Sequence, residues 1–124
     1  MGKYVDGFIL VVPKDKVDEY KKMAKMGAES WMKHGALEYM ECIGEDLTPK
    51  EMGGMKPRAF TEMAGAKSHE TVWFSFIVYK SKEHRDEVNA KVMKEMSEMG
   101  DGDFQMPFDM KRMATGGFEA MVEA

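Results

Sequence analysis

Between Tyr4 and Val12, apolar side chains fill both alternating sets of positions, with Val5, Ile9 and Val11 on one and Tyr4, Phe8, Leu10 and Val12 on the other. A strand covered on both faces has this pattern. Asp6 alone interrupts it. Pro13 ends the strand, and after Lys14 the residues Val17, Tyr20, Ala24, Gly27 and Trp31 recur at spacings of three and four, which is one face of an amphipathic helix. His34-Gly35 closes that helix, because Gly35 can take the left-handed cap and the imidazole can sit near the free carbonyls. A second strand is expected from Ala36 to Gly44.

Residues 45–66 carry Pro49, Gly53, Gly54, Pro57 and Gly65 with no sustained period, which predicts a loop excursion with a short strand near Arg58 to Thr61. Glu70 to Lys80 is the strongest strand signal, a run of β-branched and aromatic residues. Ser81 is a ready N-cap for a second helix whose buried stripe reads Val88, Val92, Met96 and Met99. Gly100-Asp101-Gly102-Asp103 breaks this helix, Pro107 marks an irregular connector, and Gly116-Gly117 leads into a last strand, Phe118 to Val122.

The order predicts one α+β domain over residues 1–124, a ferredoxin-like split βαβ sandwich with a four-stranded antiparallel sheet and its helices on one face. Two helices cover one face only, yet Tyr4 to Val12 and Thr71 to Tyr79 are apolar on both. The second face needs a cover, and the same face of another copy, related by a two-fold axis, supplies one. A homodimer through the sheet face is the expected partner arrangement.

Composition narrows the function classes. Eighteen basic and 22 acidic residues give a net charge of -4, with no general attraction for nucleic acid or anionic lipid. Cys42 is the single cysteine, so an internal disulfide framework is excluded and a reducing cytoplasm fits. The N-terminus has no signal-peptide h-region, and no apolar run approaches the roughly 20 residues of a membrane helix. Methionine is unusually abundant, at 15 of 124 positions. Spacings of three among Met23, Met26, Met93, Met96 and Met99 are helix geometry and read as adaptable packing; thioethers can select copper(I), but no Cys/His cluster stands beside them. No cofactor or metal motif is present, since Gly53-Gly54 and Gly116-Gly117 belong to no phosphate-binding fingerprint.

Several segments resemble a known family: Tyr4-Val5-Asp6-Gly7-Phe8, Val12-Pro13-Lys14-Asp15-Lys16, His34-Gly35-Ala36-Leu37-Glu38-Tyr39, Val78-Tyr79-Lys80-Ser81, His84-Arg85-Asp86, Met106-Pro107-Phe108-Asp109 and Gly116-Gly117-Phe118-Glu119. Together they are similar to the YbaA-like family of uncharacterised bacterial proteins across nearly the whole chain. The resemblance implies a small cytoplasmic protein of the dimeric α/β-barrel superfamily, in which two ferredoxin-like domains pack sheet to sheet. It implies no established activity. That superfamily includes cofactor-independent monooxygenases and haem-degrading oxygenases. The latter share a strand tryptophan followed by a helical histidine, here Trp73 and His84, but use Asn where this chain has Asp6.

Candidate chemistry centres on Asp6, because a carboxylate inside an apolar strand must be paired, hydrogen-bonded or functional. Its structural reading is a pair with Arg85 or Arg112. The spacing of Arg85 and Asn89 puts them on one helix face, suited to an anionic or carbonyl group if that face looks inward. Asp6, Trp73, His84, Arg85, Asn89 and Arg112 are thus the expected lining of a small-molecule crevice between sheet and helices. The same residues in catalytic roles would make a monooxygenase-like enzyme. Cys42 reads as an inert thiol, and Glu38 and Glu41 fall on opposite strand faces, which removes a paired-carboxylate site.

Overall fold

The computed structural model describes residues 2–99 and 106–124. Four strands, β1 (Tyr4–Pro13), β2 (Glu38–Ile43), β3 (Glu70–Tyr79) and β4 (Ala114–Glu119), form one antiparallel sheet in the order β2-β3-β1-β4. Helix α1 (Val17–Lys33) joins β1 to β2, α2 (Phe60–Ala64) lies in the excursion, and α3 (Lys82–Glu98) follows β3. The α+β class and the alternation of strands and helices are those the pattern predicts.

Strand parity divides the sheet into two faces. Register places Tyr4, Asp6, Phe8, Leu10 and Val12 of β1 beside Tyr79, Ile77, Ser75, Trp73 and Thr71 of β3. These residues meet the helices in two clusters, Leu10, Val12 and Trp73 with Tyr20 and Ala24 of α1, and Ile77 and Tyr79 with Val88 and Val92 of α3. The caps are as expected. Ser81 Oγ accepts the His84 backbone N–H at 3.1 Å, and Gly35 adopts φ +112°, in the left-handed region that costs a glycine least.

The other face combines Val5, Gly7, Ile9 and Val11 with Val72, Phe74, Phe76 and Val78, flanked by Met40 and Cys42 of β2 and by Phe118 of β4. Val11 and Val72 are buried although both point away from α1 and α3, and α2 is the helix that contacts β1 and β3 there. The excursion therefore covers one end of this face. The rest stays open, with Met40 48%, Phe74 47% and Phe118 62% exposed. The Phe118 ring lies over the strand floor beside Gly7 and Gly116, where a side chain at position 7 would come within 3.4 Å of the ring.

Four expectations need correction. Residues 58–61 form no strand; the segment turns into α2, whose Gly65 cap adopts φ +67°. The last strand runs from Ala114 to Glu119, and Gly116-Gly117 lies inside it; Met121 and Val122 are outside it and exposed, with no neighbouring strand to order them. Met96 and Met99 are exposed, because α3 meets the sheet through Arg85, Val88, Asn89 and Val92, all N-terminal to them. The imidazole of His34 turns from the helix end to Glu95 of α3. The expected break at 100–103 lies outside the described residues. Among the described residues no helix is long and apolar enough to cross a membrane.

Candidate functional site

Four of the six expected site residues converge around Tyr79, which is fully buried in β3. Its hydroxyl donates to Asn89 Oδ1 at 3.1 Å, and Trp31 Nε1 donates to the same oxygen at 3.0 Å. One amide carbonyl thus ties α1, α3 and the sheet together. Burial pushes the Tyr79 hydroxyl above its ordinary range, and the nearby Asp6 charge adds to the effect. Asp6 is buried on the same face, and Arg85 Nη1 donates to its Oδ1 at 2.7 Å while Arg85 Nε donates to Asp86 at 2.8 Å. The guanidinium also stacks over the Tyr4 ring at 4.9 Å. Arg85 and Asn89 do look into the fold, and both already have partners there.

His84 packs edge-on to Tyr79, and its Nδ1 accepts the Lys80 backbone N–H at 3.0 Å. That bond leaves the proton of a neutral ring on Nε2. Nε2 in turn faces Gly35, 3.5 Å from where a side chain there would begin. An axial haem bond would have to take one nitrogen out of this arrangement. Mixing the protein with haemin is therefore expected to give the same Soret band as His84→Ala, and a sharp shift lost in that variant would refute the assignment.

Trp73 and Arg112 lie elsewhere. Arg112 is the last residue of a short 3-10 turn at Met110–Arg112 and grips Glu70 with two parallel bonds, Nη1 to Oε1 at 2.8 Å and Nη2 to Oε2 at 2.6 Å. It also donates to Asp109 Oδ2 at 2.7 Å and to the Gly65 carbonyl at 2.8 Å. This clamp joins the excursion, β3 and the connector before β4. The Arg112 hydrogen bonds hold Glu70 down at about 2, and the same guanidinium lowers Asp109.

Trp73 belongs to a different polar group. On the helix face of β2, Glu41 accepts the Tyr20 hydroxyl at 2.7 Å and the Tyr39 hydroxyl at 2.6 Å, together with Ser75 Oγ. Burial is the main force raising the Tyr20 and Tyr39 hydroxyls, and their hydrogen bonds to the carboxylate raise them further. The Tyr20 ring sits 4.7 Å from Trp73, whose buried Nε1 has no hydrogen-bond partner. Gly27 permits the close approach of α1, since a side chain there would meet the Tyr39 hydroxyl at 2.9 Å. The pairing of Glu41 with Ser75 across β2 and β3 depends on register, which the sequence pattern leaves open. Parity does place Glu41 on the face of Tyr39, and a small polar residue between Trp73 and Ile77 was the remaining signal.

Among the described residues, no group of three His, Cys, Asp or Glu side chains is placed to hold a metal ion. An antiparallel sheet with α1 and α3 on one face and buried, internally paired polar groups between them defines the class of this protein. The model of the family described as "Protein of unknown function (DUF1428)" matches residues 3–110, and the chain belongs to that family. It is 42% identical over 123 residues to the "Uncharacterized protein YbaA" of Escherichia coli strain K12, covering 98% of each chain. The proteins of the same description from Escherichia coli O157:H7 and Shigella flexneri match to the same extent. A solved structure, "De novo designed protein Foldit4", aligns over 98% of this chain with a TM-score of 0.42 and 10% identity, a likeness that carries no argument.

Proposed function

We propose that this protein works in the cytoplasm as a homodimer, two ferredoxin-like units packed sheet to sheet as a dimeric α/β barrel, each holding a small molecule between sheet and helices. The observation that carries the assembly is the open part of the sheet. Across β2, β3, β1 and β4 the rows Met40-Phe76-Gly7-Gly116 and Cys42-Phe74-Ile9-Ala114 contain no charged residue. Glu38, at the edge, is the nearest charge on that face. A contiguous apolar surface of this kind marks an interface, and a two-fold contact pairs it with itself. Light scattering at micromolar concentration should give the mass of two chains, and Phe74→Glu should give one. A wild-type mass of one chain overturns the reading.

For the small molecule, the support lies on the α1 side of the sheet. Asp6, Arg85 and Asn89 are occupied by protein partners, whereas Trp73 Nε1 is not, and the half-buried Glu41 beside Tyr20, although it accepts three protein hydroxyls, is a carboxylate with about four acceptor positions and so has one left to offer. A small compound with hydrogen-bond donors suits that carboxylate, with Trp73 as the donor to its own acceptor. In a thermal-shift screen of small amines and amides, a compound that stabilises the wild-type chain should lose its effect in Glu41→Gln. Stabilisation retained in that variant would place the site elsewhere.

A further inference from the structure

The methionines are distributed against the usual rule. Methionine is ordinarily among the more buried residues, yet among the described residues none of the 13 buried hydrophobic side chains of the core is a methionine. Twelve methionines are at least 43% exposed, from Met96 at 43% to Met121 at 83%. Among the described residues, only Met23 and Met113 of the methionines pack against a core cluster, the one around Trp73. The exposed set is spread over α1, β2, the excursion, α2, α3, the connector and the C-terminal segment, with Met26, Met40, Met52, Met63, Met93 and Met121 as examples. Packing cannot account for these side chains. A single Met-rich docking groove would gather them on one face, but Met40 stands on the open sheet face while Met26 and Met93 belong to the helices that cover the opposite one, so one face does not hold the set.

What dispersed, accessible thioethers share is their chemistry. We propose that the surface methionines are a sacrificial reductant shell, consumed by hypohalous acids while the fold persists. The thioether sulfur attacks the chlorine of hypochlorous acid, forming an S–Cl bond and releasing hydroxide. Water then adds to sulfur as chloride leaves, and two protons are lost, one of them neutralising the hydroxide. The net change is thioether plus HOCl to sulfoxide plus chloride and a proton, with sulfur oxidised by two electrons and chlorine reduced by two. Methionine sulfoxide reductases return the thioether, so the capacity is renewable.

The core explains why the protein survives this. Sulfoxides are polar and disrupt packing where the sulfur is buried. Here the buried hydrophobic side chains are chiefly valine, leucine, isoleucine, tyrosine and tryptophan, which among the described residues leaves Met23 and Met113 as the points where oxidation reaches the interior. Oxidation should therefore proceed in two phases. The exposed thioethers go first without structural change, and Met23 and Met113 follow as the fold loosens.

The test is a hypochlorite titration of the full chain in a Cys42→Ser background, which removes the single thiol from competition. Intact mass, peptide mapping and near-ultraviolet circular dichroism are followed together. The expected result is a ladder of oxygen additions of about 16 Da each, confined to the exposed positions and reversed by sulfoxide reductases, before the dichroism changes. Met40, the exposed methionine on the open sheet face, lags if that face is occupied by a second copy, and its behaviour does not bear on the others. Replacing Met52, Met55, Met93, Met99 and Met121 by leucine should leave the melting temperature unchanged and reduce the oxidant consumed before unfolding by five equivalents per chain. Loss of structure after the first one or two additions overturns the proposal. So does oxidation of Met23 and Met113 as fast as the exposed set, or an undiminished capacity in the leucine variant.

Discussion

Arg112→Ala should lower the midpoint of urea unfolding clearly, because it strips Glu70, the more buried member of this ion pair, of its partner. The reason is what stays behind. Glu70 keeps only 6% of its side chain exposed, and without Arg112 its carboxylate retains a single backbone donor, Lys67 N–H at 2.8 Å. The same substitution frees Asp109 and the Gly65 carbonyl, so α2 loses its tie to the connector. Urea unfolding measures the loss. Changing Glu70 and Arg112 together to methionine should recover most of it, because replacing both partners removes the uncompensated charge. A single variant as stable as the wild type would show that the clamp contributes nothing.

The sign of the pH dependence follows from Glu70. Its folded value lies near 2 against an ordinary 4.5, so the fold favours the charged form. The stabilisation is fully present above the unfolded value and disappears as pH falls from 4.5 towards 2. Asp109, lowered by the same guanidinium, titrates in the same direction. The difference in stability between wild type and Arg112→Ala should accordingly be largest near neutrality and shrink through acid. A difference that stays constant to the acid limit would mean that packing of the arginine stem, and not its charge, is what the substitution removes.

The clamp also shows where the sequence stopped being legible. Asp6 stood out because a carboxylate interrupts an apolar strand, and Arg85 is the partner it finds. Arg112 was visible as a possible partner for Asp6, but it pairs with Glu70, at the start of β3 on the opposite sheet face. Strand periodicity assigns a face to each residue; it does not say which distant loop folds across that face. The excursion illustrates the same limit. Its glycines and prolines declared irregular backbone, whereas the burial of Val11 and Val72 beneath it depends on contacts remote in sequence. Helix α3 failed for a different reason. Methionine at helical spacing looks like a core stripe, but the core cluster that α3 joins ends at Val92. Local caps and strand parity were readable because each rests on neighbours within a few residues. The Glu41 cluster needed strand register, α1 placement and Gly27 at once.

That cluster gives the second large effect. Glu41→Leu should destabilise the protein by about 3 kcal/mol, since hydroxyls of Tyr20, Tyr39 and Ser75 lose their acceptor and each buried orphan costs roughly 1–3 kcal/mol, with incomplete additivity. Glu41→Gln keeps a carbonyl oxygen and should cost less. Adding Tyr20→Phe, Tyr39→Phe and Ser75→Ala to the leucine variant should restore stability, because the donors leave with the acceptor. If the combined variant is no more stable than Glu41→Leu alone, the loss comes from volume and not from hydrogen bonding. The phenols supply an independent readout. Burial raises Tyr20, Tyr39 and Tyr79 above the ordinary 10.0, so the fold favours their neutral forms. Their contribution is present below the unfolded value and is lost as pH rises past it. Tyrosinate absorption from these rings should then appear in one step with alkaline unfolding in the wild type. In Glu41→Leu, Tyr20 and Tyr39 lose the neighbouring carboxylate but keep their burial, and that step should move to lower pH because the fold itself gives way earlier.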